Sequence, residues 1–237
     1  MTLPTGYLFD LDETLVTYEP SLPAVFRAAC DSLGVPPEAG SFETFQSGYV
    51  ETFVGFDGDP YRGAAEAVEE SGVDVDPEAL KRAYIERELN ATTAPDGIAD
   101  LLESLPGVGV VTNGYGPIQQ RKLTRVGLDG VVDRLVAPDE VGAFKPDPRP
   151  FDAAAEALQA DSYVMVGDSY EKDVTPAAER GYRTVLVGGE AYGPNGEAAT
   201  LDGPKPDLRI GSPAELPSLL DRLRQRDVDD PSMGELL

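Results

Sequence analysis

Apolar positions along this chain follow two rhythms, and the change between them divides it. The first run, "YLFDL" at residues 7–11, is short and densely apolar, as a buried strand is. From residue 16 the spacing turns helical. Leu22, Val25, Phe26, Ala29 and Leu33 fall at i, i+3, i+4, i+7 and i+11, one face of a helix that Gly34 and the Pro36–Pro37 pair stop. Further helices are predicted at 41–54, 61–71 and 77–90, the last opening on Asp76 as N-cap with Pro77 in the first turn. No strand signal interrupts residues 16–94, which read as an all-helical insertion.

From residue 96 helices and strands alternate. Ile98, Leu101, Leu102 and Leu105 make a helix face, and "VGVVT" at 108–112 is a compact strand. A helix at 117–126, a strand near 133–137 and a helix at 148–158 follow; Phe151, Ala154, Ala155 and Leu158 share one side of that helix. Next come the strand "YVMV" at 163–166, a short helix from Thr175–Pro176 to Gly181, the strands "RTVLV" at 183–187 and "DLRI" at 207–210, and a helix from Pro213 to about Arg224. This alternation predicts an α/β fold with a doubly wound parallel sheet. The expected organisation is a Rossmann-like core of residues 1–15 and 95–224, a smaller all-α domain over 16–94, and a polar, frayed tail over 225–237.

Composition narrows the function classes. A chain of 237 residues, 41% hydrophobic, can build a core domain and a smaller one. No stretch approaches the roughly 18 apolar residues of a membrane span, and "MTLPTG" lacks the features of a signal peptide. The single cysteine, Cys30, excludes an internal disulfide and reads as a small buried hydrophobe. A soluble cytoplasmic protein is expected. Nineteen basic residues against 43 acidic ones give a formal net charge of -24, which repels nucleic acid and anionic lipid. Salt tames such self-repulsion, since the Debye length falls to about 3 Å at 1 M. A concentrated-salt cytoplasm, as in a halophilic archaeon, is therefore expected. There is no histidine, so proton transfer must fall to other groups.

Candidate chemistry sits at the strand ends. In an extended strand, residues two apart share a face about 6.6 Å from each other, so Asp10 and Asp12 of "FDLDET" can both face one ligand. In a parallel sheet, ligands bind at the carboxyl ends of the strands. "VVTNGYG" brings Thr112 and Asn113 to the end of a second strand, and "VMVGDSYEKDV" brings Asp168 to the end of a third, with Asp173 five residues on. "GAFKPDP" puts Lys145 in a loop just before a helix. Taken singly, each has an ordinary reading as a turn residue, a helix start or a solvated charge. Together they suit phosphoryl transfer through a metal. Asp10, Asp12 and Asp168 offer hard oxygens suited to Mg²⁺, and Thr112 and Lys145 can hold phosphoryl oxygens. One aspartate can attack phosphorus while the other manages the leaving group's proton and then the water's.

"DLDET", "TNG", the lysine of "KPDP" and "GDSYEKD" resemble, in order and spacing, the four motifs of the haloacid dehalogenase-like (HAD) hydrolase superfamily, over residues 7 to about 188. The resemblance implies a HAD core with a four-helix cap over 16–94 that selects the substrate. It also implies Asp10 as nucleophile and metal ligand, and Asp12 as general acid and base with its main-chain carbonyl on the metal. Thr112, Asn113 and Lys145 would hold the phosphoryl group, with Asp168 on Mg²⁺ and Asp173 supporting the metal or the lysine. Haloacid dehalogenases proper lack the second aspartate of motif one, so the phosphatase branch is implied. A sugar-phosphate mutase, a 2-haloacid dehalogenase and a receiver-like phospho-acceptor module are the competing readings. Receivers carry the phosphorylated aspartate on a later strand and have no helical insertion.

"TNGYGPIQQRKLTRVGL" and "EVGAFKPDPRPFDAA" resemble the branch with nucleotidases, acylneuraminate-9-phosphate phosphatases and archaeal glyceraldehyde-3-phosphate phosphatases, while "GDSYEKDV" is also compatible with phosphoglycolate phosphatases. The implied partner is thus a small phosphomonoester. Phe53, Phe56, Tyr61, Tyr18 and Tyr115 are candidates to border the site, with packing as the competing role. Arg121, Lys122 and Arg125 are expected to form a solvated cluster on a helix surface.

Overall fold

All five residues of β1 (Thr5–Phe9) are buried, because this strand runs through the middle of a sheet with apolar layers on both faces. The computed structural model describes residues 4–36, 40–56, 58–188 and 202–218. Two-residue strands β2 (Thr17–Tyr18) and β3 (Thr92–Thr93) pair with each other as a separate ribbon, which the sequence pattern does not announce. The remaining strands are β4 (Val108–Val111), β5 (Arg134–Val136), β6 (Ser162–Gly167), β7 (Arg183–Val187) and β8 (Leu208–Ile210). With β1 they form one six-stranded sheet in the order β5–β4–β1–β6–β7–β8, parallel throughout. The chain runs outward from β1 in both directions, which puts β1 at the point where a doubly wound sheet opens a crevice at its carboxyl edge.

The chain divides into two compact units, Met1–Thr17 with Ala94–Leu237, and Tyr18–Thr93. The second is helical: α1 (Leu22–Ser32), α2 (Phe42–Val54), α3 (Pro60–Glu70) and α4 (Pro77–Ala91). Local chemistry starts three of these helices. Ser41, Asp59 and Asp76 each accept a hydrogen bond from a first-turn amide, and Pro60 and Pro77 occupy the first turn, where no amide partner is lost. Their interior is aromatic: Phe26, Phe45 and Tyr84 pack at tilted angles, 4.5–6.5 Å between centroids. Cys30 is buried here, as expected.

In the first unit, period-two alternation sorts the strand residues. Tyr7, Phe9, Val110 and Val166 join Leu101 and Leu102 of α5 (Ile98–Glu103) and Leu123 of α6 (Gly116–Arg125) on one face. Leu8, Val111 and Met165 meet Phe151 and Ala154 of α8 (Pro148–Leu158) on the other. Each fully buried side chain such as Phe9 or Phe151 contributes about 1.5–3 kcal/mol relative to exposure. Two short helices, α7 (Pro138–Val141) and α9 (Thr175–Glu179), complete the connections. No helix among the described residues is long and apolar enough to cross a membrane.

Two departures from the sequence pattern have local causes. β1 ends at Phe9 and not Leu11, because the Leu11 carbonyl turns back to accept from the amides of Thr14, Leu15 and Val16. Glu13, at φ 59°, carries that turn. The predicted helix at 213–224 begins as a 3₁₀ segment, Pro213–Ser218, since Pro217 has no amide for an α-helical bond. Its remainder and the 225–237 tail lie outside the described residues.

Candidate active site

Three adjacent strands, β4, β1 and β6, deliver the candidate residues to one edge. Asp10 directly follows β1, and its amide still donates to the Val166 carbonyl at 2.9 Å, so the neighbouring strand fixes where its side chain starts. Thr112 and Asn113 follow β4, its ladder extended by the Thr112 amide bonding the Val136 carbonyl. Asp168 follows β6. Lys145, in the loop between α7 and α8, is tied to this edge by a reciprocal pair. Asn113 Nδ2 donates to the Lys145 carbonyl at 2.9 Å, and the Lys145 backbone amide donates to Asn113 Oδ1 at 2.7 Å. The Asn113 side chain therefore clamps the backbone of the lysine loop to the end of β4.

Lys145 is 3% exposed, and its ammonium donates to Asp10 Oδ1 at 2.8 Å and to Asp173 Oδ1 at 2.6 Å. Asp173, wholly buried, projects from a single π turn, Tyr170–Val174, that the sequence pattern reads only as a helix start. Such turns recur at functional sites. The Ser169 amide donates to its Oδ2 at 3.1 Å. Gly167 makes room: a Cβ there would lie 2.4 Å from Asp173 Cγ.

Carboxylate oxygens of Asp10, Asp168 and Asp173 lie within 4.8 Å of one another. Their acidity reflects the crowding. Burial pushes Asp10 up to about 6, reinforced by Asp173 and Asp12 and opposed by Lys145. Burial and then the Asp10 charge push Asp168 up to about 7. Burial also raises Asp173, against the pull of Lys145. Burial alone would lower Lys145, but the two carboxylates more than offset it and hold its proton firmly. Three carboxyls thus share one ammonium. That excess of hard oxygen donors fits a divalent cation such as Mg²⁺, whose octahedral ligands at about 2.1 Å lie roughly 3–4.2 Å apart. Both oxygens of Asp173 already accept a hydrogen bond, Oδ1 from Lys145 and Oδ2 from the Ser169 amide, and each keeps a lone pair that could face a cation.

Asp12 lies on the same edge, its side chain 33% exposed. Two groups reach it from α6: Lys122 Nζ donates to Oδ1 at 2.9 Å and Gln119 Nε2 to Oδ2 at 2.7 Å. Lys122 is 3% exposed, which corrects its expected place in a solvated surface cluster; Arg121 and Arg125 are exposed as expected. A helical wheel puts 118, 119, 122 and 123 on one face, so apolar Ile118 and Leu123 were the available signal that Gln119 and Lys122 point inward. Among the aromatic candidates, Phe53 and Tyr61 are buried against Tyr49 at 5.5 and 5.1 Å in the helical unit, a packing role. Phe56 is 38% exposed, and Tyr18 and Tyr115 are half-buried.

A separate cavity of about 420 Å³ beside the start of α6 is lined by Pro117, Leu123, Val132, Leu135 and Asp139 among others. It shares no residue with the acid cluster.

A family model described as haloacid dehalogenase-like hydrolase matches residues 4–181, from before Asp10 to beyond Asp173. The chain belongs to the haloacid dehalogenase-like hydrolases. Within that family it is 31% identical over 188 residues to the pyrimidine 5'-nucleotidase YjjG of Escherichia coli, covering 74% of this chain and 82% of the relative. It is 32% identical over 210 residues to the ribulose-1,5-bisphosphate 5-phosphatase of Halopiger xanaduensis, covering 78% and 84%. Among solved structures, a HAD phosphatase from Thermococcus onnurineus matches with a TM-score of 0.60 at 27% identity, over 91% of this chain and 97% of that one. The six-stranded parallel sheet described above is thus the Rossmann-like core of a HAD hydrolase.

Proposed function

We propose that this hydrolase is a Mg²⁺-dependent phosphatase that cleaves a small phosphomonoester through an aspartyl-phosphate on Asp10. The observation that carries the reading is the gathering of Asp10, Asp168 and Asp173 around the buried Lys145 ammonium at the carboxyl ends of adjacent strands. Asp10, Asp168 and the Asp12 main-chain carbonyl would hold the ion, with Asp173 backing Lys145. When bound, Mg²⁺ supplies positive charge that lets an anionic nucleophile meet an anionic ester.

The chain's own groups do the rest. A carboxylate oxygen of Asp10 attacks phosphorus, and the ester P–O bond breaks with its electron pair going to the alcohol oxygen. Asp12, which enters the cycle protonated and keeps its hydrogen bonds from Lys122 and Gln119 as acceptor, gives that oxygen its proton. Asp12 then takes a proton from water, whose oxygen attacks the phosphorus of the acyl phosphate, releasing inorganic phosphate and restoring Asp10. Thr112, the Asn113 main chain and Lys145 donate to the phosphoryl oxygens as charge shifts onto them. The helical unit Tyr18–Thr93 serves as the substrate-selecting cap. Both named relatives act at position 5 of a pentose, by their names a 5'-nucleotidase and a 1,5-bisphosphate 5-phosphatase. Pentose 5-phosphates and nucleoside 5'-monophosphates are accordingly the favoured substrate class, with other sugar phosphates and phosphoglycolate as comparisons.

Phosphate release over that panel, with Mg²⁺ in molar KCl, tests the reading. Turnover is expected on at least one ester, reversible loss on chelation, and none above background for a folded Asp10→Asn protein. More than a few per cent activity in Asp10→Asn would remove Asp10 as nucleophile.

A further inference from the structure

Helix α6 buries two polar side chains that no motif accounts for, and they meet the site from behind. Gln119 is 1% exposed and Lys122 3%, beside the apolar Ile118 and Leu123 on the same helix face. An ammonium is expensive to bury unless charge and hydrogen bonds compensate it, so its burial here calls for a role. Resting on the phosphatase reading above, we propose that Gln119 and Lys122 are positioning residues that hold the Asp12 carboxyl and the Thr112 hydroxyl in their working orientations.

The geometry gives each partner one arrangement. Lys122 Nζ takes Asp12 Oδ1 at 2.9 Å and Gln119 Nε2 takes Oδ2 at 2.7 Å. With a donor on each oxygen, the carboxyl plane is set, and the one-third of the side chain that stays exposed presents a constant face to the reacting ester. Gln119 Nε2 has two hydrogens. It also donates to Thr112 Oγ1 at 2.6 Å, and the Gly114 amide donates to the same oxygen at 3.0 Å. A hydroxyl has two acceptor sites and one hydrogen. Both acceptor sites of Thr112 are therefore taken, and its hydrogen can only be given away, as a phosphoryl oxygen requires. Glycine at 114 permits the arrangement, since a Cβ there would lie 2.3 Å from Gln119 Nε2. One glutamine thus couples the proton-handling carboxyl to the phosphate-holding hydroxyl.

The test compares phenyl phosphate with 2,4-dinitrophenyl phosphate by kcat/KM, which reports ester cleavage. Phenolate is the far poorer leaving group and depends more on a well-aimed proton donor. In Lys122→Met, phenyl phosphate is expected to lose about a hundredfold and dinitrophenyl phosphate less than about tenfold, within the range that general acid catalysis supplies. Gln119→Met should show the same change of ratio on top of a loss common to both esters, through Thr112. Lys122→Arg, which keeps a donor to Asp12, should restore the ratio. A folded variant that slows both esters equally, or neither, overturns the role of that residue. Should Lys122→Met fail to fold, the ratio in Gln119→Met, which leaves the ion pair in place, decides. If the unaltered enzyme releases phosphate from neither aryl ester nor any member of the sugar-phosphate panel, the phosphatase reading fails and this one falls with it.

Discussion

Lys145 stands between two carboxylates at hydrogen-bond distance, 3% exposed, and the charge balance of the site turns on it. Truncating one partner of a buried ion pair leaves the others uncompensated, at a cost of about 3–5 kcal/mol. Lys145→Ala is therefore expected to lose that much stability in urea with a chelator present, and to lose at least about a hundredfold in turnover. Adding Asp173→Asn should return much of the stability and none of the activity. A Lys145→Ala protein as stable as the parent would mean that the ammonium compensates nothing.

Elements set these residues where single positions could not. The β4–β1–β6 register brings Thr112, Asp10 and Asp168 to one edge, a π turn aims Asp173, and α6 supplies Gln119 and Lys122 from beneath. In the helical unit, α2 and α3 approach so closely that a Cβ on Gly63 would lie 1.8 Å from Thr52 Oγ1, and one on Gly48 would lie 2.5 Å from Ala67 Cβ. Alanine normally favours a helix over glycine by about 1 kcal/mol. Here overpacking should outweigh that gain, so Gly63→Ala is expected to destabilise by about 1–3 kcal/mol. Thr52→Ala in the same protein should recover part of the loss, a coupling that urea titration of the double-mutant cycle measures. A neutral or stabilising Gly63→Ala would mean the helices have more room than this.

At the scale of the whole molecule, charge is the dominant fact. A formal net charge of -24 on 237 residues makes the compact state self-repelling, and salt relieves such repulsion between exposed groups. The urea midpoint is expected to rise between 0.1 and 2 M KCl. A flat or falling response would show that the acidic surface imposes no such dependence.

Local pattern was enough to specify the alternation of strands and helices, the run of helices between residues 16 and 94, and the positions of Asp10, Thr112 and Asp168 just past strand ends. Periodicity, caps and the order of Asp10, Thr112, Lys145 and Asp168 are properties of neighbours along the chain. Local pattern did not determine where β1 stops, because that depends on the Leu11 carbonyl bending back to three later amides. Nor did it reveal the π turn under Asp173 or the ribbon of β2 and β3, which are too short for a periodic signal. Lys122 is the clearest case. As a letter beside Arg121 it reads as a solvated cation, and only the approach of Asp12, 110 positions away in the chain, makes its burial favourable. Contacts of that range are decided by tertiary packing, since no local preference records which carboxylate will arrive.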